Sequence, residues 1–232
     1  MFRSAAVATF LAGSASLSCA QYVSVDLTNQ FNDYRSTLYR GTSMAYGPQV
    51  FAHGNDLVPV NLGGGVDGND LWSWCAAPQS NGPSGTVNLV VPVAIHGPST
   101  VFTMMNTLWG NANPNGLLSV TFRAGDGLEQ TFVLVGGVDI RDYNSTTLYT
   151  DTINGTSTQM VFENGRGQRL DMQRFDLDPA FGERTLTSIS FSDYGEVGVQ
   201  RMFLTGITAM VPAPGAASLL GLAGFGAFRR QR

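Results

Sequence analysis

Short runs of alternating apolar and polar residues, closed by Gly, Asn, Asp or Pro, constrain this chain more than any other feature. Alternation at period two gives an extended strand one inward and one outward face, and no long run with the 3.6-residue helical period competes with it. Such runs occur at Tyr22–Leu27, Leu57–Leu62, Thr86–Val93, Leu117–Arg123, Glu129–Val135, Leu170–Leu177, Thr185–Ser192 and Gln200–Ala209. Pro59 marks its run as an edge strand or a strand start, because proline cannot donate to a ladder. Ala124-Gly125-Asp126-Gly127-Leu128 joins two runs as a hairpin turn, its glycines supplying positive φ. About eight strands at this spacing predict an all-β fold, a single β-sandwich of jelly-roll type.

The two ends differ from this middle. At the N-terminus Arg3 precedes a small-residue, modestly apolar stretch from Ala5 to Leu17. Ser18-Cys19-Ala20 then offers small side chains for cleavage after Ala20, so residues 1–20 are expected to be a signal peptide. At the C-terminus Val211-Pro212-Ala213-Pro214 is followed by an apolar run from Ala216 to Phe228 and by Arg229-Arg230-Gln231-Arg232. The run is shorter than the roughly 20 residues of a full span, and its flanking arginines resist translocation. That order suits a transient membrane-sorting helix. The domain between the ends is expected at 21–210.

The tail over 211–232 resembles the PEP-CTERM sorting signal of Gram-negative bacteria, in a Val-Pro-Ala-Pro variant. Ala213 stands where the family's usual glutamate would be. The resemblance implies an exosortase-type processing enzyme acting near Pro212 and Pro214, transient attachment to the inner membrane, and release to the cell surface or beyond. In the middle, Pro92–Gly97, Ser99–Gly110, Val135–Asn144 and Gly167–Leu177, in that order, look like a secreted bacterial β-sandwich family often paired with such tails. Its architecture is similar to the galactose-binding jelly rolls, which include many carbohydrate-binding modules.

Charge narrows the partners. All 13 basic residues are arginine; four of them (Arg3, Arg229, Arg230, Arg232) lie in the ends, and all 17 acids lie between. Nine arginines against 17 acids leave the middle at a formal −8. Such a surface repels nucleic acid, which is not an expected partner. With Cys19 cleaved away Cys75 is the one remaining cysteine, so no intrachain disulfide forms, and Cys75 is expected to be a buried, inert thiol.

Three groups of residues are candidates for a site. Asp67, Asn69 and Asp70, in Gly63-Gly64-Gly65-Val66-Asp67-Gly68-Asn69-Asp70, offer closely spaced oxygens for a structural calcium; the alternative is a glycine-rich loop whose Asp and Asn make local turn bonds. Trp72, Trp74, Trp109 and Tyr143 are candidates for stacking on sugar rings, and equally for the core. In Trp72-Ser73-Trp74 both rings are expected on one face of a strand. Arg141 and Asp142 are either a polar binding edge or a locally satisfied ion-pair corner with Asp139; local pairing is likewise expected for Arg166, Arg169 and Arg174. The histidines, His53 and His96, have no metal or catalytic frame and are expected in loops or turns. The segment from Tyr143 to Ser157 is expected to be a long exposed loop or hairpin.

The function these readings favour is that of a secreted, non-catalytic surface or extracellular-matrix protein that binds or organises exopolysaccharide, with no cofactor beyond that calcium. The alternatives are an extracellular glycoside hydrolase, for which pairs such as Asp171 with Asp176 or Asp139 with Glu163 would have to converge across a cleft, and a structural biofilm protein with no small ligand.

Overall fold

The computed structural model describes residues 20–33, 47–62, 71–113, 115–145 and 148–213. The residues before Ala20, expected to be a signal peptide, the calcium candidates Asp67, Asn69 and Asp70, and the tail from Pro214 to Arg232 lie outside the described residues. The described residues form twelve strands: β1 (Gln21–Ser24), β2 (Gly47–His53), β3 (Asp56–Leu62), β4 (Trp74–Cys75), β5 (Val87–His96), β6 (Thr100–Leu108), β7 (Leu118–Ala124), β8 (Glu129–Leu134), β9 (Thr158–Glu163), β10 (Arg169–Asp176), β11 (Thr185–Asp193) and β12 (Arg201–Val211). The fold is all-β and sandwich-like, with no helix of seven or more residues among those described. No helix among the described residues is long and apolar enough to cross a membrane. The internal contacts of Gln21–Pro212 cluster as one unit.

Three layers account for the burial pattern. The large sheet runs β1-β12-β6-β10-β9, with β4 also on β12; the small sheet runs β5-β11-β7-β8; β2 and β3 form a separate hairpin. Between the two sheets lies one core. Val101 and Met105 of β6, Ile207 and Ala209 of β12 and Phe175 of β10 meet Leu89 and Val91 of β5, Phe122 of β7 and Ile189 and Phe191 of β11. Phe122, Phe132 and Phe175 form an aromatic triad there, with ring centroids 5.1–5.8 Å apart, each pair worth about 0.5–1.5 kcal/mol beyond burial. A second core fills the opposite face of the large sheet: Phe102, Met104, Leu170, Met172 and Phe203 pack under Val58, Val60 and Leu62 of β3.

The hairpin is docked by polar contacts too. Thr208 Oγ1 and Ser24 Oγ both donate to the Pro59 carbonyl, at 2.6 and 3.2 Å. Gly206 leaves the room required, since a Cβ there would stand 2.3 Å from Val60 Cγ1. Pro59 lies in a two-stranded hairpin, whose strands are both edges, as expected for a proline-bearing strand.

Several expectations on strands are corrected. The described residues form twelve strands, and β2, β4, β6 and β9 were not among the predicted runs. β6 is buried at every position because both of its faces are covered, so it shows no alternation for a sequence pattern to reveal. β5 continues through Pro92 to His96, where the run was expected to stop. Pro92 is tolerated because β5 is the outer strand of the small sheet and pairs with β11 at a register shift. The turn at Ala124–Leu128 forms as expected: Gly127 has φ +89° and Ala124 N donates to Leu128 O at 2.8 Å. Cys75 is buried, also as expected, and its sulfur accepts from Ala77 N at 3.4 Å.

Both histidines end strands, not loops. His96 closes β5, and His53 closes β2, where it is buried edge-on to Phe102, 5.6 Å between ring centroids. Burial holds the His53 imidazole below its ordinary 6.5, against the opposing contact with the Ser157 carbonyl. A depressed folded value means that the stability His53 contributes is present above pH 6.5 and lost as pH falls through the folded value. Replacing it (His53→Gln) is expected to flatten this part of the acid limb in melting curves taken between about pH 7 and 5; a limb of unchanged slope would contradict the assignment.

Candidate functional site

The site forms where β6 ends and β10 begins. After Leu108 the chain turns at Trp109, whose φ of +56° places a bulky residue in the left-handed region, a conformation that costs about 1–3 kcal/mol and persists only when its surroundings impose it. Here they do. Gly110 N donates to Asp142 Oδ2 at 2.9 Å and Thr150 N donates to Gly110 O at 3.1 Å. Only glycine fits at position 110, since a Cβ would lie 2.6 Å from Asp142 N.

Residues 141–145 run alongside as a short ladder. Thr107 N donates to Arg141 O, Tyr143 N to Thr107 O, Arg169 N to Tyr143 O and Ser145 N to Gly167 O, all at 2.7–3.0 Å. The ladder wedges the segment between the end of β6 and the start of β10. Beneath it, Arg141 forks onto Asp171, Nε to Oδ2 and Nη2 to Oδ1 at 2.7 Å each, and Asn106 Nδ2 adds 2.7 Å to the same carboxylate. Arg141 Nη1 also donates to the Asp151 carbonyl at 3.0 Å. Arg169 pairs with the Asp151 carboxylate and donates to the Asp142 carbonyl. The two arginines thus hold both ends of the 142–151 loop.

Residues 142–144 and Tyr149 of that segment and the turn at Trp109 line an open pocket of about 170 Å³. Trp109, Tyr143 and Tyr149, each half-buried, supply its aromatic walls; Asp142 and Asn144 supply polar groups, with Leu108 and Ser80 completing the lining. Tyr143 is oriented by an edge contact with Phe203, 6.0 Å between centroids at 73°. The Asp142 carboxylate is fully buried and held at both oxygens, by Gly110 N and by Asn144 N at 2.8 Å. Burial nevertheless pushes its pKa above the ordinary 3.8.

The sequence candidates divide accordingly. Trp109, Tyr143 and Asp142 come together. Trp72 and Trp74 do not join them: they are 1% and 8% exposed and pack in different cores, Trp72 under the hairpin and Trp74 between the sheets. The expectation that both rings share one strand face is corrected. Only Trp74 and Cys75 enter the ladder with β12, so Trp72 precedes the strand and the period of two does not extend to it. Trp74→Ala is expected to cost about 3–5 kcal/mol of stability as a large-to-small core change, read as a lowered melting temperature; an unchanged melt with altered ligand binding would overturn the packing role. Arg141 is corrected as well, from a locally paired or ligand-facing side chain to one whose partner, Asp171, is thirty residues away. Tyr149 was not foreseen, because only the tertiary fold brings it beside Trp109.

A larger cavity, about 320 Å³, opens between β8 and β10 against Phe132, Leu134 and Phe175. Its charged rim is internally matched: Arg174 bonds Asp176 at 2.9 Å and Asp56 at 2.7 Å, and Asp139 accepts from Val135 N at 3.0 Å. No group of three or more His, Cys, Asp or Glu side chains among the described residues is placed to hold a metal.

No family model matches the chain, and no curated protein matches it. Among solved structures, a β-1,2-glucanase from Parabacteroides distasonis is similar at 14% identity and a TM-score of 0.32, over 79% of this chain and 24% of that one. The chain therefore spans about a quarter of that enzyme's length, and a likeness at this score bears on neither ligand nor activity.

Proposed function

We propose that this protein is an exported, non-catalytic glycan-binding protein that reaches the cell surface or extracellular matrix and contacts exopolysaccharide through the pocket of Trp109, Tyr143 and Tyr149. One observation carries the reading: a strained tryptophan, whose neighbour Gly110 is fixed by bonds to the Asp142 carboxylate and Thr150 N, forms an aromatic-walled pocket also lined by Asn144 and by the buried Asp142. Aromatic faces take the apolar faces of sugars, and amide groups take hydroxyls. At about 170 Å³ the pocket is smaller than the roughly 300–1,000 Å³ of drug-sized ligand sites, which suits a single ring or a chain end.

The engagement of the carboxylates supports a binding role over hydrolysis. Asp171 is held by Arg141 and Asn106, and Asp176 by Arg174 and Thr100. The tail, with Pro212, Ala213 and Pro214 before an apolar run and the cluster Arg229, Arg230 and Arg232, supports sorting by an exosortase-type enzyme through transient inner-membrane attachment. Calcium at Asp67, Asn69 and Asp70 would assist binding.

The test is calorimetric titration of the protein with a panel of bacterial exopolysaccharides, with calcium and then with chelator, alongside an assay for released reducing ends. Saturable binding without sugar release supports the proposal. Steady release of reducing ends, or no binding to any polysaccharide, would refute it.

A further inference from the structure

Resting on that glycan-binding reading, we infer that the pocket selects uncharged or amino sugars and rejects uronate and sulfated ones. The charge around the pocket carries the argument. Its lining holds one ionisable acid, Asp142, and no basic side chain. Both Asp142 oxygens already accept a backbone N–H and the carboxylate is fully buried, so it acts on a ligand through its charge and not through a direct bond. That charge tolerates a neutral ring or an ammonium group and opposes another carboxylate, which would face like charge in a partly desolvated site.

The arginines that might offset this are committed elsewhere. The nearest, Arg169, donates to the Asp142 carbonyl and pairs with Asp151. Among the described residues Arg123, Arg141, Arg169, Arg174, Arg184 and Arg201 each hold a carboxylate of the chain itself. Recognition of an anionic polymer normally relies on bidentate arginine forks, and here those forks are closed. The wider field acts in the same direction, with nine arginines against 17 acids between the two ends. A polyanion is therefore disfavoured on approach as well as in the pocket.

Matched probes test this. The protein is titrated with cello-, galacto- and mannohexaose, with the same hexamers oxidised at C6 to uronates, and with a glucosamine hexamer, each against wild type and Trp109→Ala. The expected result is saturable binding of at least one neutral or amino-sugar hexamer, lost in Trp109→Ala, with the matching uronate at least about tenfold weaker. Raising the salt from about 0.05 to 0.5 M should narrow that gap, because the Debye length contracts, and this readout in the wild-type protein needs no variant to fold. Uronates binding as tightly as their neutral counterparts, with Trp109 still required, would overturn the selectivity and leave the pocket assignment standing. Loss of all binding, or binding indifferent to Trp109, would overturn the pocket assignment and the selectivity with it.

Discussion

Asp171→Ala is expected to destabilise the protein by about 3–5 kcal/mol, because it strands a buried arginine. Arg141 would keep only its contact with the Asp151 carbonyl, and Asn106 would lose the acceptor of its amide. The loss should reach beyond stability. Arg141 fixes the start of the 142–151 loop and, through the Asp151 carbonyl, its end, so the pocket wall bearing Tyr143 and Tyr149 should loosen. Denaturant unfolding monitors the first effect, and hydrogen exchange at Tyr143 and Thr150, whose N–H groups donate to the carbonyls of Thr107 and Gly110, monitors the second. A loss below about 1 kcal/mol, the scale of an exposed pair, would show that the Arg141–Asp171 pair does not anchor the loop.

Arg201→Met should have an effect of similar size at neutral pH, with a distinct dependence on pH. Arg201 and Asp193 are both fully buried, 3.2 Å apart, and Arg201 also donates to the carbonyls of Pro83 and Gly85. Asp193 accepts from Met202 N at 2.6 Å and Gly195 N at 2.8 Å, while burial pushes its pKa above 3.8. Removing the guanidinium leaves those carbonyls unpaired and the carboxylate without its countercharge, for about 3–5 kcal/mol. It also raises the folded-state value of Asp193 further. A raised folded value means stability is fully present below the unfolded value and lost as pH rises through the folded one, so the deficit of Arg201→Met should shrink as pH is lowered toward 4. A deficit that stays constant between about pH 7 and 4 would show that the cost comes from packing and the lost carbonyl contacts, not from the stranded charge.

The sequence disclosed strands where one face meets water. β5, β8 and β11 alternate cleanly because the outer face of the small sheet is exposed, as at Val90 and Val133. It was silent at β6, where Thr100–Leu108 is covered by the small sheet on one side and by the β2–β3 hairpin on the other. A third layer erases periodicity in the strand it covers, and nothing local announces that layer. β2 carries a fair alternation of burial, yet it opens with Gly47-Pro48, which reads as a turn. Trp74 and Trp72 were separated by a strand boundary that spacing alone did not show.

The site was half legible. Trp109-Gly110 and Asp142-Tyr143 stood out as aromatic and acidic residues beside glycine and asparagine, and the fold unites them. The partners that hold them were not legible: Asp171 lies 30 residues from Arg141 and 65 from Asn106, and long-range ion pairs leave no mark in local spacing. Tyr149 was hidden for the same reason, in a segment whose composition announced only a loop.

The most direct test of the central claim is a titration of intrinsic tryptophan fluorescence with polysaccharide. Trp72 and Trp74 are buried, and Trp109 is the half-exposed ring at the pocket. A saturable fluorescence change that disappears in Trp109→Phe, with the melting temperature unaltered, is the predicted result. A saturable change that persists without Trp109 would place the glycan elsewhere and contradict the account.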